Sequence, residues 1–180
     1  DEEIATVARE YGAEVPFYRP AALADDHTGT SPVVRDTLQR LLQLGWDIQH
    51  CACIYATTPL LSSVLIKQAY EQLCETSADY VFTSARFSFP IQRALLQTKT
   101  GGETPFDPTS IVKRSQDLPP AFHDAGQLYW GSCNTWLDQN KYIFSEKSQM
   151  LVLPPHLVQD IDTLEDWNHA ELLYRMLQSQ

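Results

Sequence analysis

Residues 50–85, HCACIYATTPLLSSVLIKQAYEQLCETSADYVFTSA, decide the fold class. HCACIYA is short, apolar and β-prone, and TTPLLSS is its outgoing turn. SSVLIKQAYEQLCET carries helical spacing, and DYVFTSA is a second apolar strand. Strand, helix and strand in this order predict a parallel sheet with helices packed on it. The pattern extends upstream, where Pro32 opens the amphipathic helix VVRDTLQRLLQL. DEEIATVAREYGAEV predicts a helix with acids in its first turn and a stop at Gly12, followed by a short strand. PFYRPAALADDHTGT, polar and broken by proline, predicts the loop between those helices. Downstream, QLYWGSC and MLVLP predict further strands. TLEDWNHAELLYRMLQ predicts a closing helix capped by Thr163, with Glu165 and Asp166 as helix-dipole acids and Trp167, Ala170, Tyr174 and Leu177 on one face. Segment 87–120, with its prolines and TKTGGETP, predicts an excursion from the main sheet. The expectation is one α/β domain over residues 1–180.

Composition narrows the function. Of the residues, 43% are hydrophobic and 20% charged, an ordinary globular profile. The formal net charge of −10 excludes phosphate-backbone binding as the main activity, so no nucleic-acid partner is expected. A small polyanion remains possible, held by local cations and a metal bridging to carboxylates. No apolar run is long enough to cross a membrane. Cys51 and Cys53 alternate on one face of a strand; with Cys74 and Cys133 they are read as buried thiols of a reducing compartment, in preference to a zinc site or a disulfide framework.

The chemistry concentrates in VQDIDTLEDW. Asp160 and Asp162 lie two apart at an expected strand end, so both carboxylates point to one side, just ahead of a helix. Paired hard oxygens suit Mg²⁺, which keeps its other positions for water and phosphate. On the residues alone, capping or a solvated turn is the better explanation of the pair. His123 and Asp124 are adjacent on a strand and face opposite ways, so they form no acid–base dyad. Arg19, Thr28 and Thr30 read as a surface charge and turn residues. Thr57, Thr58 and Pro59 read as a strand exit, the position where open α/β sheets place ligands.

The wider text resembles the CMP-nonulosonate synthetase family, which activates sialic-acid-like sugars. The resemblance runs in order through DEEIATVAREYGAEVPFYRPAALADD, YATTPLL, RFSFPIQRAL, RSQDLPPAFHDAGQLYWG and QDIDTLEDW, nearly the whole chain. FPIQRAL, HDAGQLYW and QDIDTLEDW lie nearest the branch that activates pseudaminic acid. The resemblance implies a three-layer, Rossmann-like and glycosyltransferase-A-like nucleotidyltransferase with a mainly parallel sheet. It implies an enzyme that transfers CMP from CTP to the anomeric hydroxyl of a nonulosonic acid, releasing pyrophosphate, in a bacterial cytoplasm. Asp160 and Asp162 match the family's magnesium-binding acids. Arg19, Thr28, Thr30 and Thr57 match the nucleotide side. Tyr55, Gln92, Arg93, Arg114, His123, Asp124, Gln127 and Tyr129 match the sugar side, where this sequence departs most from sialic acid synthetases. Arg93 or Arg114 is the expected partner of the sugar carboxylate, because a guanidinium grips it bidentately. Segment 87–120 matches the family's contact between the copies of a homodimer.

One family feature, a first strand with a Gly-rich, cationic phosphate loop, has no match here; the adjacent glycines Gly101 and Gly102 lie in the excursion with Lys99. The expectation is therefore an N-terminally incomplete domain that lacks normal activity by itself. The alternatives are a CMP-N-acetylneuraminate or legionaminate synthetase, and a non-catalytic nucleotide-sugar-binding remnant.

Overall fold

A computed structural model describes residues 1–25 and 27–179; Asp26 of the expected proline-punctuated loop lies outside them. Helix α1 (Glu2–Glu10) starts where the Asp1 carboxylate accepts the Ile4 amide and ends at Tyr11, followed by Gly12 at φ +88°. The short strand expected next does not form, and residues 13–16 are irregular. Pro16 has no N–H to give to a ladder. Helix α2 (Thr30–Gln43) begins two residues before Pro32, which sits in the first turn where its missing N–H is harmless. Strand β1 (His50–Ile54), helix α3 (Ser63–Glu75) and strand β2 (Tyr80–Arg86) follow as expected. In the excursion, strands β3 (Leu95–Gln97) and β4 (Glu103–Pro105) pair only with each other. The chain then forms β5 (Phe122–Ser132), the short helix α4 (Cys133–Leu137), β6 (Gln149–Leu153) and α5 (Leu164–Gln178). Thr163 caps α5 in a full capping box with Asp166.

The main sheet has the order β1-β5-β2-β6. Here the mainly parallel expectation is corrected: β5 runs antiparallel to both β1 and β2, and only β2 and β6 are a parallel pair. The reason lies in the excursion. Arg86 pairs with Phe122, and the Phe87 amide donates to the Ala121 carbonyl at 3.0 Å. Segment 87–120 thus leaves and re-enters the sheet at one end, as the loop of an oversized hairpin, and β5 must run back along β2. β1 and β2 still share a direction, with α3 as their crossover, but β5 occupies the place between them.

Both faces of the sheet are covered. On one, Tyr80, Phe82 and Tyr129 pack with Val34 and Leu38 of α2 and Cys133 and Trp136 at α4. On the other, Val81 and Leu128 pack with Ala69 and Leu73 of α3. β2 is therefore buried on both sides along nearly its whole length. Cys51 and Cys53 do share a face, beside Cys133, and burial raises both thiols to about 11. Cys74 corrects the buried-thiol reading: it lies exposed on α3. Among the described residues, no helix is long and apolar enough to cross a membrane.

Candidate active site around the Asp160 loop

The site is built by an irregularity in β5. Phe82 pairs with Tyr129, and two residues later Ser84 pairs with Asp124. β2 thus uses one residue, Thr83, where β5 uses the four from 125 to 128, giving a bulge of three extra residues. Gly126 sits in the bulge at φ +64°, a conformation glycine adopts without strain. The backbone freed by the bulge is re-used: Leu128 N–H donates to the Thr83 hydroxyl at 3.2 Å, and Tyr55 N–H donates to the Gln127 carbonyl at 3.0 Å.

The odd insertion reverses the alternation of the strand. Residues five apart would ordinarily face opposite sides, yet Tyr129 Oη donates to Asp124 Oδ2 at 2.5 Å. Gly126 N–H donates to Asp124 Oδ1 at 3.2 Å, so both carboxylate oxygens are oriented. Burial, then the hydrogen bond to Asp124 and its charge, push the Tyr129 phenol well up, which keeps it a proton donor. The Tyr55 ring lies 5.3 Å from that of Tyr129, and its hydroxyl shares a short hydrogen bond with Thr30 at the start of α2. Thr30, Tyr55, Asp124 and Tyr129 line one cleft of about 420 Å³. Tyr142 and Phe144, both exposed, complete it. Their loop is held by Lys141, which pairs with Asp79 at 2.6 Å, and by Phe144 packing edge-on to Phe82.

Asp160 stands beside the bulge. A Cβ on Gly126 would lie 3.3 Å from Asp160 Oδ2, a tight contact to which this carboxylate would have to yield by a few tenths of an ångström. The strand end expected here is corrected: residues 158–161 are irregular. Asp160 Oδ1 accepts the Ile161 amide at 3.1 Å. Asp162 is exposed, and its amide, like that of Thr163, donates to Asp166 Oδ2. Hydrogen bonds from Thr163, side chain first, lower the Asp166 carboxyl below its ordinary value. Asp166 is thus engaged by the helix start, while the Asp162 carboxylate accepts no hydrogen bond from the described residues. Among them no cluster of three or more His, Cys, Asp or Glu forms a closed cage. Two hard carboxylates with open positions nevertheless fit Mg²⁺, which takes few protein ligands and completes its shell with water and phosphate.

Two further depressions meet this loop. The larger, about 800 Å³, is lined by Arg86, Phe87, Arg93, Ser115, His123 and Val158 among others. The Phe87 ring holds His123 edge-on, and Arg93 donates to Ser115 at 3.0 Å. The other, about 410 Å³, lies between Thr57, Thr58 and Pro59 on one side and Ile161, Trp167 and Tyr174 on the other. Only Ala170 of the predicted α5 face is buried; Trp167 and Tyr174 stand half-exposed at this groove.

The expected site residues therefore separate. Thr30, Tyr55, Asp124 and Tyr129 converge in one cleft, Arg93 and His123 in another, and Thr57 borders the third. His123 and Asp124 do line different clefts, as their adjacency predicts, and the His123 ring makes its one hydrogen bond among the described residues with the Asp124 carbonyl. Gln127 is corrected from a sugar contact to a buried brace: its side chain is fully enclosed, and its amide donates to the Leu157 carbonyl at 2.9 Å. Its Oε1 has no partner among the described residues. Tyr129, only 2% exposed, can likewise act only through Asp124. Arg114 lies outside the clefts, gripped bidentately by Asp117 at 2.8 and 2.9 Å. Gln92 donates to the Pro119 carbonyl within the excursion. Arg19 is exposed and lines none of these three clefts, and the Thr28 amide is tied to Asp25 at 2.6 Å. Gly126, Arg86, Tyr142 and Phe144 were not singled out from sequence. Gly126 alone carried a signal, as a lone glycine in a strand, which marks a bulge or a close approach.

No family model matches the chain. Curated proteins do. A Campylobacter jejuni protein named pseudaminic acid cytidylyltransferase is 40% identical over 176 residues, covering 98% of this chain and 75% of that protein. A Helicobacter pylori protein is 36% identical over 160 residues, 88% of this chain and 30% of its own length. It is named pseudaminic acid cytidylyltransferase and UDP-2,4-diacetamido-2,4,6-trideoxy-beta-L-altropyranose hydrolase. A CMP-N,N'-diacetyllegionaminic acid synthase of C. jejuni is 59% identical, but over only 39 residues, 22% of this chain and 17% of that protein.

Proposed function

Because this chain belongs to the pseudaminic acid cytidylyltransferase family, we propose that it transfers CMP from CTP to the anomeric hydroxyl of pseudaminic acid. The observation that carries the reading is the β5 bulge, which sets Gly126 beside Asp160 and orients the Asp124 carboxylate, next to a cationic cleft that Val158 borders. The new bond joins the anomeric oxygen to the α-phosphorus, the bond from that phosphorus to the bridging oxygen breaks, pyrophosphate leaves, and the hydroxyl proton passes to solvent. Mg²⁺ held by Asp160 and Asp162 supplies charge neutralisation on the triphosphate. Thr30 lies on the nucleotide side of its cleft; Thr57 borders a different cleft, and Thr28 and Arg19 line neither. Asp124 and Tyr55 offer the sugar an acceptor and a hydroxyl, with Tyr129 and Gln127 bracing them from behind. Arg93 is the better partner for the sugar carboxylate than Arg114, whose guanidinium Asp117 already satisfies.

The finer fold assignment, a Rossmann-like, glycosyltransferase-A-like nucleotidyltransferase, belongs to the same reading, as does a cytoplasmic setting where CTP is made. We assign the excursion to a homodimer contact, because Phe89, Leu95, Leu96, Phe106 and Val112 leave it with large exposed apolar side chains. Legionaminate activation is the second reading, favoured by the short 59% match. Similarity along 98% of the chain outweighs one 39-residue segment.

The test is pyrophosphate release from CTP with pseudaminic acid, legionaminic acid and N-acetylneuraminic acid in parallel. Pseudaminic acid should give the highest kcat/KM. Asp160→Asn should lower that value about a thousandfold while the melting temperature stays near wild type. A preference for either other sugar, or an indifferent Asp160→Asn, defeats the proposal.

A further inference from the structure

We propose that Gln159 is a positioning residue, which holds Asp160 and Asp162 in the mutual arrangement that a shared Mg²⁺ needs; the proposal rests on the reading of these two acids given above. Only Ile161 separates them, so two consecutive peptide planes join their α-carbons. A peptide unit is planar, and the placement of one carboxylate relative to the other is set first by how the two planes are turned. Residues 158–161 belong to no helix or strand, so no ladder supplies that order. Each plane is held instead at one polar group. Gln159 Nε2 donates to the Asp160 carbonyl of the first plane at 2.7 Å. The Asp162 amide of the second donates to Asp166 Oδ2 at 3.3 Å. Gln159 Nε2 also donates to Asp166 Oδ1 at 3.3 Å, so one side chain links the fixings of both planes.

Gln159 takes its own orientation from α5. A carbonyl and a carboxylate lie at one end of its carboxamide, so the NH₂ points there and the oxygen is left to accept. His169 Nδ1 lies 2.6 Å from that oxygen and therefore donates to it. Asp166 and His169 stand three apart on α5 and share a face. A carboxamide is the group that meets this set of partners. A carboxylate would turn an acceptor towards two acceptors, and a thioether would offer no N–H to either. The preceding turn is fixed separately, where Gln127 of the bulge donates to the Leu157 carbonyl at 2.9 Å. The stretch is thus tied to the sheet at Leu157 and to α5 through Gln159. The Gln159 contacts lie at or near the surface, so they add little to stability. What they fix is the direction of two charged groups, and partners that orient metal-binding carboxylates act on metal affinity.

The test is Mn²⁺ binding by electron paramagnetic resonance, with thermal unfolding of the same samples. Wild type is compared with Asp160→Asn, Gln159→Met, His169→Ala and His169→Asn. Gln159→Met keeps size and charge; it should weaken Mn²⁺ binding about tenfold while the melting temperature stays near wild type. His169→Ala frees the Gln159 oxygen and leaves its two donations in place, so it should weaken binding about threefold. His169→Asn can offer an N–H where Nδ1 stands and should restore the wild-type affinity. Wild-type affinity in Gln159→Met overturns the proposal, as does a loss in His169→Asn equal to that in His169→Ala, which would make the imidazole itself responsible. If Gln159→Met does not fold, the two exposed His169 variants decide the matter. Mn²⁺ binding unchanged in Asp160→Asn overturns the metal reading and this proposal with it. A loss in Asp160→Asn with none in Gln159→Met overturns this proposal alone.

Discussion

The four-stranded sheet and segment 87–120 are held together in different ways. In the sheet, Tyr80, Val81, Leu128 and Tyr129 are all at most 2% exposed. In the excursion, Leu118 and Ser110 are buried while Phe89, Leu95, Leu96, Phe106 and Val112 face outward. Order there comes from local turns. At one of them, hydrogen bonds from Ser110 and Thr109 hold the Asp107 carboxyl at about 2, well under the usual carboxylate range. The sheet satisfies itself by burial between two helical layers, whereas the excursion keeps its backbone in order but leaves its apolar surface for something else to cover. Asp160 and Asp162, the proposed metal carboxylates, lie exposed on the irregular stretch between the self-sufficient sheet and α5.

The contrast is most exposed to failure in its energetics. Leu128→Ala should destabilise the protein by about 2–5 kcal/mol in urea denaturation, as expected for a fully enclosed leucine. Leu95→Ala should stay within about 0.5 kcal/mol. Comparable losses at the two positions would erase the distinction. A smaller effect sharpens it at the join of sheet and loop. Gly126→Ala should cost about 1–2 kcal/mol for its positive φ. By crowding Asp160 it should also weaken Mn²⁺ binding, read by electron paramagnetic resonance, about tenfold. Unchanged Mn²⁺ affinity would mean that the close approach of Gly126 and Asp160 does not serve the metal.

The smallest effect concerns the start of α5. Thr163→Ala should remove about 1 kcal/mol of stability at neutral pH. Asp166 has its folded pKa depressed by Thr163, so its contribution is present above the unfolded carboxylate value and fades as pH falls through the lower folded value. The variant should therefore lose less stability than wild type on acidification over that window. Parallel pH–stability curves for the two proteins would show that the capping box is not responsible.

Helices and strands with strong periodicity were legible without coordinates, from α2 through β2 and again at α5, because local pattern and tertiary burial agree there. The direction of β5 was not. It depends on the two ends of a 35-residue segment meeting, Phe87 with Ala121, and no short-range pattern reports that contact. The same limit applied to the site. Asp160 and Asp162 stood out as a pair, but the partner of Asp160 is Gly126 across the fold. Gln127 and Tyr129 look like ligands in a sequence, since polar side chains on a strand have two possible faces. Only the bulge decides that they point inward. Arg93 and Arg114 were equal candidates for the sugar carboxylate in the sequence, whereas in the structure Asp117 holds Arg114 and Arg93 meets only the neutral Ser115.

The bulge in β5 makes the register of the strand, and not only its letters, a determinant of what each cleft presents. His123 and Asp124 stand upstream of it, one lining each cleft. A one-residue slip of the upstream half along β2, with Tyr129 left in place, would turn that half over and exchange the two, delivering an acid to the cleft of Arg93 and an imidazole to the tyrosines. The composition of the protein would be unchanged, yet both clefts would have swapped electrostatic character. What counts is therefore which residue of β2 Asp124 meets, Ser84 in this structure, more than many substitutions around it.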